Sequence, residues 1–424
     1  MSDAITADDP KYHELFDVTR AANNSGREIV EDPYAGWRGL RSRGAVISGG
    51  VRALLGLQEA PQLFTVERPH FTCIDFETCN EVLVENRIFS SEVYHEYFPS
   101  KQIGRTILHM VGDEHRQYRG IVQPLFTRQL VENWWQAALV EPIVDELLDK
   151  LQGAGEAELN QQLCARLPMH TITRAFGLPA EVALEFRYNL LRFLSPEAPP
   201  EVRAEADAAV QAILRDAIQQ RRAKPGEDII SRMVAGEFVD HDGSRHILSE
   251  AEIFSFCRVI MIAGGGTTWR QLGITLAALL SNRDQLELVR NDRKLIDRAI
   301  HESVRWNVTA PLFYRLTTAD IVLRGVHIPA GSIVDVCLGA ANRDPARWQD
   351  PDVYDLRRPE QRHLGFAGGP HTCLGMFVAQ SEIRVAVNAL LDRMPDLRLN
   401  PDYPPPKLTG GLEQRGIDHL NVVF

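Results

Sequence analysis

No run of eighteen or more apolar residues occurs in the sequence, so a membrane-spanning helix is not expected. No two of the six cysteines form a close Cys-x-x-Cys pair, which argues against zinc and iron–sulfur centres. There is no disulfide framework either, and a reducing cytoplasm is the compartment that fits. Basic residues are in deficit. Lys and Arg number 46 against 57 Asp and Glu, a formal net charge of −11, so nucleic acid is not expected as a partner. Internal repeats and low-complexity linkers are missing. The opening MSDAITADDPKYHELFD is polar and acidic and reads as neither a signal peptide nor a membrane anchor. What remains is a chain of 424 residues, 44% hydrophobic and 24% charged, the composition of a large soluble globular protein.

Residues 113 to 300 are almost all helical in pattern, broken by short Gly, Pro and Asp loops such as SPEAPPE (195–201) and AKPGED (223–228). Strand-like runs are few: LFTVE (63–67), HFTCIDF (70–76), the stretch 321–340 and a C-terminal HLNVVF. A hairpin is expected at IPAGSIV, with Pro329 and Gly331 forming the turn. The fold class is mainly α with small β-sheets (α+β), as a single domain over 1–424 with β regions near both chain ends.

Cys373 stands apart from the other cysteines. Cys73, Cys79, Cys164, Cys257 and Cys337 lie in ordinary apolar surroundings and are expected in the core. Cys373 ends the loop GFAGGPHT, whose glycines and proline cannot belong to a regular element. A helical pattern begins just after it, so the thiol sits near a helix N-terminus, where backbone N–H groups and the macrodipole favour a thiolate. On the loop alone, a small buried thiol and a ligating thiolate both stand.

Residues 249–281 form the longest helical pattern, with Ser249 and Glu252 as a capping box. The run is apolar nearly all round, so it is central. Its middle reads Ala263-Gly264-Gly265-Gly266-Thr267-Thr268, and each glycine costs about 1 kcal/mol against alanine. The glycines mark a kink, close packing by a neighbouring helix, or a flat guest lying on the helix. With the guest, Thr267 offers a hydroxyl at a local distortion of the backbone ladder. Further on, Glu302 and Arg305 are spaced i,i+3 in HESVRW.

Taken in order, these segments resemble the cytochrome P450 superfamily of haem-thiolate monooxygenases over essentially the whole chain. Phe366 to Gly375 (FAGGPHTCLG) matches its haem-binding loop. Glu302 and Arg305 match its ExxR pair, which with an arginine of the following meander holds the proximal core. NRDP (342–345) matches the start of that meander, AGGGTT (263–268) the oxygen-binding groove, and GDEHRQYR (112–119) an acidic turn with a His-x-x-x-Arg pair.

The resemblance implies haem b (iron protoporphyrin IX), with the long central helix over it and Cys373 as the iron ligand. It implies His115, Arg119, Arg315 and His371 against the propionates, Phe366 against the ligand loop, and Ala263, Gly264 and Gly375 around the cofactor. It implies insertion of one oxygen atom from O2 into a small, largely apolar organic substrate. Electrons would come from NAD(P)H through a separate ferredoxin and ferredoxin reductase, with Arg116 and Arg128 near the docking face. A monomer is expected. Residues 90–108, Ala263 and Leu312-Phe313 should face the substrate, and Arg105 or Lys101 would suit a carboxylate. One position departs from the family: Gly266 replaces the usual groove acid, while Thr267 remains. Wasteful reduction, some peroxide-driven turnover, and better coupling in Gly266→Asp are expected from that change. A peroxide-using peroxygenase is the alternative. A haem protein that binds ligands without turnover is the third reading.

Overall fold

The structure is a computed structural model that describes residues 29–57, 63–97, 103–179, 182–194, 198–239 and 243–424. Its backbone is the long helix read from the sequence. We number the helices that build the site α1 (Gly112–Val122), α2 (Arg166–Ala175), α3 (Pro200–Ala223), α4 (Glu250–Ser281), α5 (Leu295–Trp306) and α6 (Met376–Arg393). At the start of α4 the Ser249 hydroxyl accepts from the Glu252 N–H. Glu252 in turn accepts from the Ser249 N–H at 2.7 Å, which completes the capping box. With 32 residues, α4 is about 48 Å long.

Two apolar cores flank α4. Leu272, Leu276 and Leu279 of its second half pack with Ile300 of α5 and Val387 of α6. Phe256, Val259 and Ile260 of its first half pack with Ile172 of α2 and Leu214 of α3. Burial of most of its surface explains why its sequence shows no polar face.

The main sheet draws on both halves of the chain. Its strands are β1 (Val46–Ser48), β2 (His70–Cys73), β3 (Phe89–Ser90), β4 (Leu312–Thr317) and β5 (Ile333–Cys337), in the spatial order β1-β2-β5-β4-β3. β2 and β5 run parallel, with Phe71 opposite Val334; every other pair in the sheet is antiparallel. β5 is buried at all five positions, as a central strand should be.

Several local expectations change. Residues 63–67 form no strand; Phe64 makes only an isolated bridge to Tyr97. The hairpin in 321–340 turns at Arg324-Gly325, where both φ values are positive, and pairs 321–323 with 326–328. Pro329 and Gly331 instead redirect the chain into β5, which pairs with β2 and β4. Short strands at 156–158, 237–239 and 245–247 interrupt the helical half. The long helix is not broken at its glycines, for α4 is continuous from Glu250 to Ser281. Gly264 is there for close packing: a Cβ on it would lie 2.4 Å from Ile172 Cδ1 of α2. The other five cysteines are buried, as read. No described helix is long and apolar enough to cross a membrane.

Candidate active site

The loop 365–375 is held from both ends. The Cys373 N–H donates to the Phe366 carbonyl at 3.0 Å, closing the loop on itself. Gly369 has φ +67, and a Cβ there would lie 2.5 Å from the Leu83 carbonyl oxygen, so the position demands glycine. α6 begins at Met376 with Gly375 as its N-cap, which places Cys373 just before the helix. Burial pushes the Cys373 thiol up. A hydrogen bond from the Gly375 N–H and the positive charge of Arg119 work in the opposite direction. The protein surrounds the thiol, yet it is exposed. Both are true when a side chain opens onto an internal space. Ala263 is likewise exposed, although it lies in the middle of the largely buried helix α4.

Four bases gather beside the loop. His115 and Arg119 lie one turn apart on α1, Arg315 on β4, and His371 in the loop. The rings of His115 and His371 are 4.2 Å apart. Arg119 donates to the Thr372 carbonyl at 2.7 Å and to Gln123 at 2.8 Å. Arg315 is 3% exposed and donates to the Tyr314 carbonyl at 2.8 Å; burial lowers its pKa, and Tyr94 partly offsets this. Ser91 donates to the Met110 carbonyl, so its oxygen takes the His371 Nε2–H at 3.0 Å. Burial holds His115 down at about 4, with Arg119 adding to the effect. Burial also holds His371 well below its ordinary value, and Arg315, His115 and Arg119 push it further the same way. Among the described residues, no acid offsets these effects at either histidine, and His115 Nε2 is buried without a partner. A buried cluster of bases lacking an acid is arranged for an anionic guest.

Behind the loop, Glu302 and Arg305 of α5 form a buried bidentate pair, with both N–O distances 2.7 Å and side chains 7% and 3% exposed. Arg358 donates to the same Glu302 carboxylate at 3.2 Å and is the meander arginine, which sequence reading left unnumbered. Arg305 also donates to the carbonyls of Asn342, Pro351 and Val353. The Asn342 side chain accepts from the Leu364 N–H at 2.7 Å, which ties this network to the root of the ligand loop.

On the groove side, Thr267 donates its hydroxyl to the Ala263 carbonyl at 2.6 Å. Gly266 is buried beside it, with the guanidinium of Arg270 nearby. Sequence reading missed Arg270; its signal was a charged residue three positions after Thr267 in a largely apolar helix. Leu312 and Phe313 do not share a wall. Leu312 packs with Trp37 and Val93, and Phe313 lies against the cluster of Phe89 and Val336 on the other face of β4. Arg105 is engaged by Glu114, with an Nε–Oε1 distance of 2.5 Å. Lys101 lies outside the described residues.

The model of the family described as Cytochrome P450 matches residues 169–410, more than half of the chain. The chain is a member of the cytochrome P450 family. Cytochrome P450 107B1 of Saccharopolyspora erythraea is 33% identical over 341 residues, covering 80% of this chain and 82% of that one. Cytochrome P450 monooxygenase PikC of Streptomyces venezuelae is 31% identical over 398 residues, covering 91% of each. Among solved structures, the Bacillus subtilis bacillaene polyketide synthase cytochrome P450 PksS superposes with a TM-score of 0.79 at 25% identity, covering 93% of this chain and 97% of that one. As a P450, the chain is a haem-dependent monooxygenase that acts on an organic substrate with O2, and its cofactor is haem b. Membership of this family of monooxygenases sets aside the reading of a ligand binder alone. The residues present fit the cofactor: an accessible thiol inside the protein, a base cluster suited to two carboxylates, and an accessible alanine on the central helix.

Proposed function

We propose that Cys373 is the proximal thiolate ligand of haem b, and that this single domain works as a ferredoxin-fed monooxygenase. The observation that carries the reading is the accessible Cys373 thiol, deep in the protein and bordered by buried bases. Haem, when bound, supplies the activation of O2 and the transfer of one oxygen atom. The chain supplies the rest. The Gly375 N–H and Arg119 stabilise negative charge on the sulfur. Arg119 and Arg315 neutralise the propionates, and His115 and His371 donate hydrogen bonds to them. Phe366 anchors the loop, Ala263 and Gly264 line the groove, and Thr267 holds a hydroxyl there. The substrate is a small, largely apolar organic molecule. The likeness to PksS supports trying polyketide-derived compounds first. A cytoplasmic monomer served by a separate ferredoxin and reductase suits the acidic chain, with no nucleic-acid or membrane partner. Gly266, which carries no acid, favours peroxide-driven turnover as the second reading.

The reduced carbon monoxide complex should show the strongly red-shifted Soret band of thiolate haem, and Cys373→His should lose it. A histidine-type spectrum in the wild-type protein would reject Cys373 as ligand. Product formed with NADH, ferredoxin and reductase supports the monooxygenase; product formed only with hydrogen peroxide supports the second reading.

A further inference from the structure

Position 266 is where the family resemblance leads one to expect an acid, and the structure shows what stands beside it instead. A Cβ built on Gly266 meets a single heavy atom within 4 Å, Nη1 of Arg270 at 3.9 Å. The same Nη1 donates to the Gly266 carbonyl. Arg270 is 4% exposed, and its guanidinium lies 4.6 Å from the ring centroid of the fully buried Trp269. Residues 263, 267 and 270 follow the i, i+4, i+7 spacing of one helix face. Ala263, first in that series, is exposed within the protein. The guanidinium is therefore tucked against the groove stripe, one turn beyond Thr267 and two beyond Ala263.

We propose that Arg270 is a positioning residue of the groove, a fixed buried cation standing where the carboxylate would be. This rests on the haem-thiolate reading above. Arginine stays protonated at any working pH, so it does not donate the protons that the acid would. Its charge and its N–H groups orient the Gly266 carbonyl and the water around it. Two consequences follow. The field on the distal side is more positive than a groove carboxylate would make it. A carboxylate introduced at 266 is captured by Arg270 as a buried ion pair and does not act as a free acid. Gly266→Asp alone then leaves coupling unimproved, contrary to the expectation from sequence.

The test has two arms. In the reduced carbon monoxide complex, a positive charge near the ligand lowers the C–O stretching frequency. Arg270→Gln should move the stretch to higher frequency, and Arg270→Lys should leave it near the wild-type value. The second arm needs no haem. Melting temperatures of Gly266→Asp, Arg270→Gln and the double variant form a cycle. The double variant strands a buried carboxylate, so its loss should exceed the sum of the two single losses. An unshifted stretch in Arg270→Gln, or an additive cycle, overturns the proposal. Loss of the thiolate Soret band in the wild-type protein would instead reject the ligand assignment, so the two failures are told apart.

Discussion

Glu382 is 2% exposed on α6, nine residues beyond Cys373, and its Oε1 has no hydrogen-bond partner among the described residues. Burial pushes its carboxyl up to about 8, and a hydrogen bond with Thr171 of α2 only partly offsets this. An acid with a raised folded pKa keeps its proton after the unfolded chain has lost its own. Glu382 therefore costs nothing at pH 4 and progressively more as the pH climbs from the ordinary carboxylate range towards 8. At neutral pH the cost is about 3 kcal/mol. Glu382→Gln should raise the melting temperature at pH 7.5 and change it little at pH 4.5. Calorimetry at the two pH values checks this, and an equal shift at both would mean that Glu382 is ionised in the folded protein. Nothing in the local sequence signals this residue, because an isolated glutamate on a helix is ordinarily solvated. Cys373 is the opposite case: its shaped loop was visible in the sequence, and its accessibility within the protein was not.

At the scale of elements, α5, the meander and the ligand loop act as one proximal frame. Arg305 joins Glu302 to three meander carbonyls, and Asn342 passes the connection to Leu364. Arg305→Ala takes the guanidinium from the Asn342 and Pro351 carbonyls and leaves Glu302 with Arg358 and the Asp355 N–H. Loss of one partner of a buried pair costs about 3–5 kcal/mol. The variant should melt well below the wild type and load little haem, measured as the ratio of haem to protein absorbance. Normal loading and melting would show that the network is dispensable. The i,i+3 spacing in HESVRW was legible, but such pairs occur on many surface helices. Burial of both side chains is what gives this pair its weight.

For the whole molecule, the charge of −11 does not prevent a local basic face. Arg116 on α1 is exposed and, among the described residues, pairs with the exposed Asp113, an interaction of little worth. Arg128 is exposed, and its guanidinium lies 4.7 Å from the ring centroid of Phe377, four residues past Cys373. Of the two, Arg128 is the better anchored to the cofactor side. With an acidic ferredoxin, reduction should slow as ionic strength rises. Arg128→Glu should slow it more than Arg116→Glu, with substrate binding unchanged in both. Stopped-flow reduction across a salt series measures it; rates independent of salt would reject this face.

The order of motifs along the chain determined the family, the cofactor and the identity of the long central helix by itself. These depend on residue type and spacing, which sequence carries directly. Tertiary structure decided what depends on burial and on contacts between distant segments. Ile172 packs closely on Gly264, and helix α4 stays whole because neighbours cover most of its surface, leaving Ala263 open. Residues 321–340 split between two sheets because β5 found a parallel partner in β2, more than 250 residues earlier in the chain. The four bases come from α1, β4 and the ligand loop, and only their convergence makes an anion site. Position 266 was read as an absence in the sequence. In the folded chain a buried guanidinium lies against it, because an arginine one turn on folds back along its own helix.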